Sequence, residues 1–104
     1  NVGKNVFIKK NCSIENPNKI SIGDNVRIDD FCVFSGKSTI SIGSNVHIGP
    51  YSFFNSSDKI TLEDYVSLSN YVTIDKKNKN LLLGSARGPR IQLLGPGNFA
   101  SIWQ

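Results

Sequence analysis

The chain has 104 residues, twelve Lys and Arg against eight Asp and Glu, and a formal charge of +4; this is the size of one domain and excludes two large ones. The basic excess sits at one end: residues 1–75 hold seven basic and eight acidic side chains, and 76–104 hold five basic and none acidic. That distribution gives no nucleic-acid footprint over the domain, and no apolar run approaches the roughly 20 residues of a membrane span.

The chain opens at Asn1 and contains no Met, which reads as a fragment or a processed product. No signal-peptide pattern precedes the first repeat, so the expected location is cytoplasmic. Two Cys are too few for a disulfide framework and are not spaced as zinc ligands. The single His, His47, excludes a three-His metal site within one chain, and no metal is expected. No Gly-rich phosphate loop of the common kinds occurs.

From the N-terminus, the sequence repeats. VGKNVFI at 2–8, IGDNVRI at 22–28 and IGSNVHI at 42–48 are near-copies, and LEDYVSL at 62–68 keeps the apolar frame without the Gly. Each copy holds a finer period of six: Val2, Ile8, Ile14; Ile22, Ile28, Phe34; Ile42, Ile48, Phe54; Leu62, Leu68, Ile74. Three hexads leave two residues over, so one coil takes twenty residues with a corner or bulge. Six fits neither the helical period nor plain strand alternation. It fits a short strand and a turn, three times per coil.

The fifth hexad position holds Val6, Cys12, Val26, Cys32, Val46, Ser52, Val66 and Val72. Residues i and i+2 of a strand share a face, so Val26 and Ile28 point inward and Arg27 points out. The same rule turns Phe7, His47 and Ser67 outward in one column. Coils stacked at strand spacing, roughly 4.8 Å, make ladders of Ile, Val and Phe inside. Each buried large side chain contributes about 1.5–3 kcal/mol, and one coil cannot bury its own face. Asn25 and Asn45 read as turn-formers in left-handed backbone. Cys12 and Cys32 read as inward packing residues rather than catalytic thiols.

The runs ISIGDNVRIDDFCVFSG and ISIGSNVHIGPYSFF resemble the hexapeptide-repeat acyltransferases, most nearly their galactoside, maltose and lipopolysaccharide O-acetyltransferase branch. The resemblance covers about residues 2–75. It implies an all-β, left-handed parallel β-helix, here of about four coils over residues 1–80, assembled as a homotrimer. It also implies acetyl-CoA as acyl donor, bound between neighbouring helices, and a saccharide hydroxyl as acceptor, on a cell-surface polysaccharide or a galactoside. The left-handed sense comes from the resemblance alone; the general preference of crossovers is right-handed.

After Ile74 the pattern fails. Leu82 falls twenty after Leu62 and Ala86 is small, but Asn80 and Gly88 stand where the frame wants aliphatics. Residues 81–104 are therefore expected to be an irregular basic tail, truncated or divergent.

Acyl transfer from a thioester needs a base on the acceptor and a donor for the oxyanion. Histidine titrates near neutral pH without environmental help, so His47, in VHIGPY, is the candidate base. Asp29 and Asp30 are candidates to orient it or to hold a sugar hydroxyl; the plain alternative is a surface pairing with Lys9 and Lys10 one coil below. Lys76 and Lys77 are candidates for the CoA phosphates, against the alternative of a solvated loop. Tyr51 and Phe53 follow His47 and would line an acceptor cleft or a subunit contact. The rival to an acetyltransferase is a shortened, inactive β-helix acting as a structural or binding module. One His excludes a carbonic anhydrase of this fold, and the lack of a Thr column argues against ice binding.

Overall fold

In the computed structural model, the described residues are 1–75, together with the backbone of short strands at 81–83, 86–87 and 91–92. The hexads become strands of two or three residues: β1 (Val6–Ile8), β2 (Ser13–Ile14), β3 (Ile20–Ile22), β4 (Val26–Ile28), β5 (Val33–Ser35), β6 (Ile40–Ile42), β7 (His47–Ile48), β8 (Phe53–Asn55), β9 (Ile60–Leu62), β10 (Ser67–Leu68) and β11 (Thr73–Asp75). A 3₁₀ turn, Pro17–Lys19, forms the first coil's third corner. Among the described residues no helix is long and apolar enough to cross a membrane.

Three sheets form the faces of a parallel β-solenoid of about four coils. β1-β4-β7-β10 make one, β2-β5-β8-β11 the second and β3-β6-β9 the third. Every pairing between these strands is parallel, and the register is twenty residues throughout: Val6 lies opposite Val26, Phe34 opposite Phe54, Ile40 opposite Ile60. The core is the set of ladders expected from the hexads. Ile28, Ile48 and Leu68 are buried in one column and Phe34, Phe54 and Ile74 in another. Phe34 and Phe54 stack with ring centroids 4.7 Å apart and planes 6° from parallel. At the N-terminal end, Val6, Ile8, Cys12 and Ile14 are only partly buried, because nothing is stacked beneath them among the described residues.

The corners are built from left-handed backbone. Asn5, Asn25 and Asn45 have φ of 57°, 58° and 59°, and Tyr65 completes the column at 66°. Asn tolerates this conformation, which costs other L-residues about 1–2 kcal/mol each. At the third corner Gly36 has φ of +103°, and a Cβ there would collide with the backbone of Ser56.

The small inward column runs Cys12, Cys32, Ser52, Val72. The Cys32 thiol donates to the Gly49 carbonyl at 3.2 Å and the Ser52 hydroxyl to the same carbonyl at 3.0 Å. Burial pushes the Cys32 thiol up to about 11, outweighing the opposing hydrogen bond from the Ser52 backbone. A thiol held neutral in this way is a packing group, not a nucleophile.

Beyond Asp75 the described backbone consists of three short strands. β12 (Leu81–Leu83), β13 (Ala86–Arg87) and β14 (Ile91–Gln92) pair antiparallel with β11, β10 and β9 respectively. Leu82 therefore lies opposite Ile74, not above Leu62. The last coil presents an edge of unpaired N–H and C=O groups on each face. A segment without hexad register still satisfies those groups by running back along them.

Three outcomes test this architecture. Phe54→Ala is expected to cost about 3–5 kcal/mol by denaturant unfolding, whereas Tyr65→Asn is expected to gain about 1 kcal/mol by relieving left-handed backbone at an exposed site. The Cys32 thiol ionises near 9.0 when unfolded and near 11 when folded, so its contribution to stability is complete below pH 9 and lost between pH 9 and 11. Urea unfolding across that range should show a decline that Cys32→Ser lacks; parallel curves for the two proteins would refute it.

Candidate active site

The period places the candidate site on the first sheet. Phe7, Arg27, His47 and Ser67 are directly paired in register, so they form one outward column. Beside it stands the corner column Asn5, Asn25, Asn45, in which the Asn5 amide donates to the Asn25 carbonyl oxygen at 3.1 Å. Asn5, Asn25 and Asn45 with Phe7, Arg27 and His47 line an open groove of about 550 Å³.

His47 is at the centre of a three-residue cluster. Its Nε2 lies 2.8 Å from Asp29 Oδ2 and 3.0 Å from Arg27 Nη2. Arg27 Nε is 3.4 Å from Asp29 Oδ1. The carboxylate is the sheltered member, at 15% exposure, against 38% for the imidazole and 57% for the guanidinium. Alternation explains why Asp29 and not Asp30 takes this place. Asp29 is two residues after Arg27 and leaves the strand on the same side. Asp30 turns away, toward the Asn11 amide at 3.5 Å.

Sequence reasoning singled out His47, Asp29 and Asp30, but passed over Arg27. The signal was present: Arg27 stands twenty residues before His47 and two before Asp29.

Tyr51 lies at the next corner, in an exposed aromatic ladder with Phe31 and Tyr71. Both ring pairs have centroids 5.1 Å apart and nearly parallel planes. All three residues have φ between 60° and 63°. A stacked pair returns about 0.5–1.5 kcal/mol, which offsets part of the left-handed cost. Phe53 sits on the second sheet between Val33 and Thr73, half-buried. Neither residue lines the groove beside His47. Lys76 and Lys77 lie outside the described residues.

No protein-family profile matches the chain, and no curated protein matches it. Solved structures of AntD, an N-acyltransferase from Bacillus cereus, do match. A serine-to-threonine variant of AntD in complex with dTDP and coenzyme A is 41% identical, with a TM-score of 0.68, over 80% of this chain and 46% of AntD. AntD in complex with dTDP and 3-hydroxybutyryl-CoA gives 41%, 0.67, 79% and 45%. A serine-to-cysteine variant with dTDP-4-amino-4,6-dideoxyglucose and coenzyme A gives 40%, 0.65, 80% and 46%. The chain thus spans less than half the length of the AntD chains it matches. Nothing in these matches singles out the O-acetyltransferase branch. The chain is a hexapeptide-repeat β-helix related to the N-acyltransferase AntD.

Proposed function

We propose that this chain carries the catalytic β-helix of an acyl-CoA-dependent acyltransferase acting on a sugar, with His47 as general base. The observation that supports it is the 2.8 Å contact between His47 Nε2 and the sheltered Asp29 carboxylate, at the edge of an open groove. The likeness to AntD, whose structures hold CoA, an acyl-CoA and a dTDP-amino sugar, supplies the substrate classes. It favours a sugar amine as acceptor over the hydroxyl and acetyl group implied by the O-acetyltransferase resemblance.

The chemistry follows from the dyad. With its Nε2–H donated to Asp29, the neutral ring keeps a lone pair on Nδ1. That nitrogen takes the proton from the acceptor as its nitrogen or oxygen attacks the thioester carbonyl. The new C–N or C–O bond forms, the C–S bond breaks, and the proton passes to the departing thiolate of CoA. Asp29 fixes the tautomer and offsets the charge that builds on the ring. Acyl-CoA and the sugar are substrates; Lys76, Lys77, Tyr51 and Phe53 remain candidates for holding them, in a cleft completed by the neighbouring subunits of a trimer.

A second reading, a β-helix that binds but does not transfer, is favoured by one feature: after Asp75 the chain turns back instead of adding a parallel coil.

His47→Ala is expected to lower acyl transfer about 10²–10⁴-fold with little change in melting temperature, since the side chain lies outside the core. Asp29→Asn, which removes the charge that fixes the ring, is expected to lower it less. Full activity in His47→Ala eliminates the base assignment; no transfer by the parent chain favours the second reading. Sedimentation should give a trimer at micromolar concentration, and a stable monomer would oppose an intersubunit cleft.

A further inference from the structure

His47 Nε2 has two neighbours that ask opposite things of it. A carboxylate only accepts hydrogen bonds and a guanidinium only donates them, while a neutral imidazole nitrogen does one or the other. With hydrogen on Nε2, the ring donates to Asp29 at 2.8 Å and Arg27 Nη2 faces an N–H. With the hydrogen moved to Nδ1, Nε2 accepts from Arg27 at 3.0 Å and turns a lone pair toward the carboxylate. No neutral tautomer satisfies both partners.

The two partners differ in freedom. Asp29 is sheltered, whereas Arg27 is mostly exposed. Among the described residues, Arg27 and His47 line the groove with neutral Asn5, Asn25, Asn45 and Phe7, so Arg27 carries the permanent charge of that lining, with the sheltered Asp29 carboxylate 3.4 Å from its Nε. A guanidinium in that position matches a phosphoryl group in bidentate fashion.

We propose that Arg27 is a diphosphate-binding residue whose capture by a ligand sets the tautomer of His47. A diphosphate in the groove draws the guanidinium off Nε2. Nε2–H is then left to Asp29 alone, and the lone pair settles on Nδ1, where the base function requires it. Arg27 is thus a positioning residue that couples arrival of a phosphorylated substrate to readiness of the base. This rests on the base role argued above, but the tautomer change is measurable without turnover. Diphosphate is shared by nucleotide-linked sugars and by CoA, and the groove chemistry fits both.

The protein contains one His, so ¹⁵N-labelled histidine gives one imidazole to follow by NMR. At mildly alkaline pH the free protein should show averaged Nδ1 and Nε2 signals. Addition of inorganic pyrophosphate should move them to the pattern with hydrogen on Nε2. Arg27→Gln should show that pattern without any ligand and bind pyrophosphate about 10- to 100-fold more weakly. A response to dTDP and not CoA assigns the site to the acceptor, and the reverse assigns it to the acyl donor. A ring unmoved by pyrophosphate, dTDP and CoA, or an Arg27→Gln protein that responds like the parent, overturns the proposal. An inactive parent whose ring still answers to diphosphate overturns the transfer reading alone; an active one whose ring does not answer overturns the coupling alone.

Discussion

Backbone pairing between coils at a fixed offset of twenty residues is the constraint on which the rest of this structure depends. Once the offset is set, each position is stacked on its equivalents above and below, and each column must be chemically compatible with itself. Aliphatic residues satisfy this inside by burial, and Phe34 over Phe54 does so by stacking. The buried polar column succeeds because Cys32 and Ser52 each donate to a carbonyl; an inward hydroxyl or thiol without such a partner would be destabilising. Short polar side chains do similar work at the corners. Asp24 accepts from the Lys4 backbone N–H at 2.8 Å and Asp64 from that of Ser44 at 2.7 Å, so even the outside is tied coil to coil.

The same offset builds the candidate site. No segment contains it: Arg27 and His47 come from adjacent coils, and Asp29 enters from the lower coil past its strand end. A one-residue slip between coils would turn His47 inward and an aliphatic outward. Site geometry and core burial are therefore specified by one register, and the buried Ile28, Val46 and Ile48, chain neighbours of Asp29 and His47, hold the dyad in place.

Much of this was legible because a period is a strong signal. The hexad positions gave the inward residues, and i, i+2 alternation put Arg27 and His47 outside. The choice between Asp29 and Asp30 was not legible, since it depends on where the strand ends and the corner begins. The aromatic ladder was missed for a different reason: Phe31, Tyr51 and Tyr71 occupy left-handed corners that propensity assigns to Asn or Gly. The two stacked ring pairs among them, about 0.5–1.5 kcal/mol each, offset part of that left-handed cost. Winding sense is absent from the period altogether, because hexads repeat alike in either hand. Beyond Asp75 the hexads fail, and the antiparallel direction of β12, β13 and β14 has no local signature in the sequence of residues 81–92.

The corner aromatics and the groove also show that the outward columns of one repetitive scaffold differ in kind. A run of one residue type is accounted for by backbone geometry, as Asn5, Asn25 and Asn45 are by their left-handed corners. The outward column beside them reads Phe7, Arg27, His47, Ser67, four unlike side chains on one face. Stacking gives no reason for that variety: a repulsive or unmatched neighbour about 4.8 Å away is a cost, not a gain. The cost is visible at His47 Nε2, where a donor and an acceptor compete for one nitrogen. Local conflicts of this kind tend to be retained at functional sites and supported by the surrounding structure. Here that support is the aliphatic ladder directly behind, in which Val46 and Ile48, on either side of His47, are both buried.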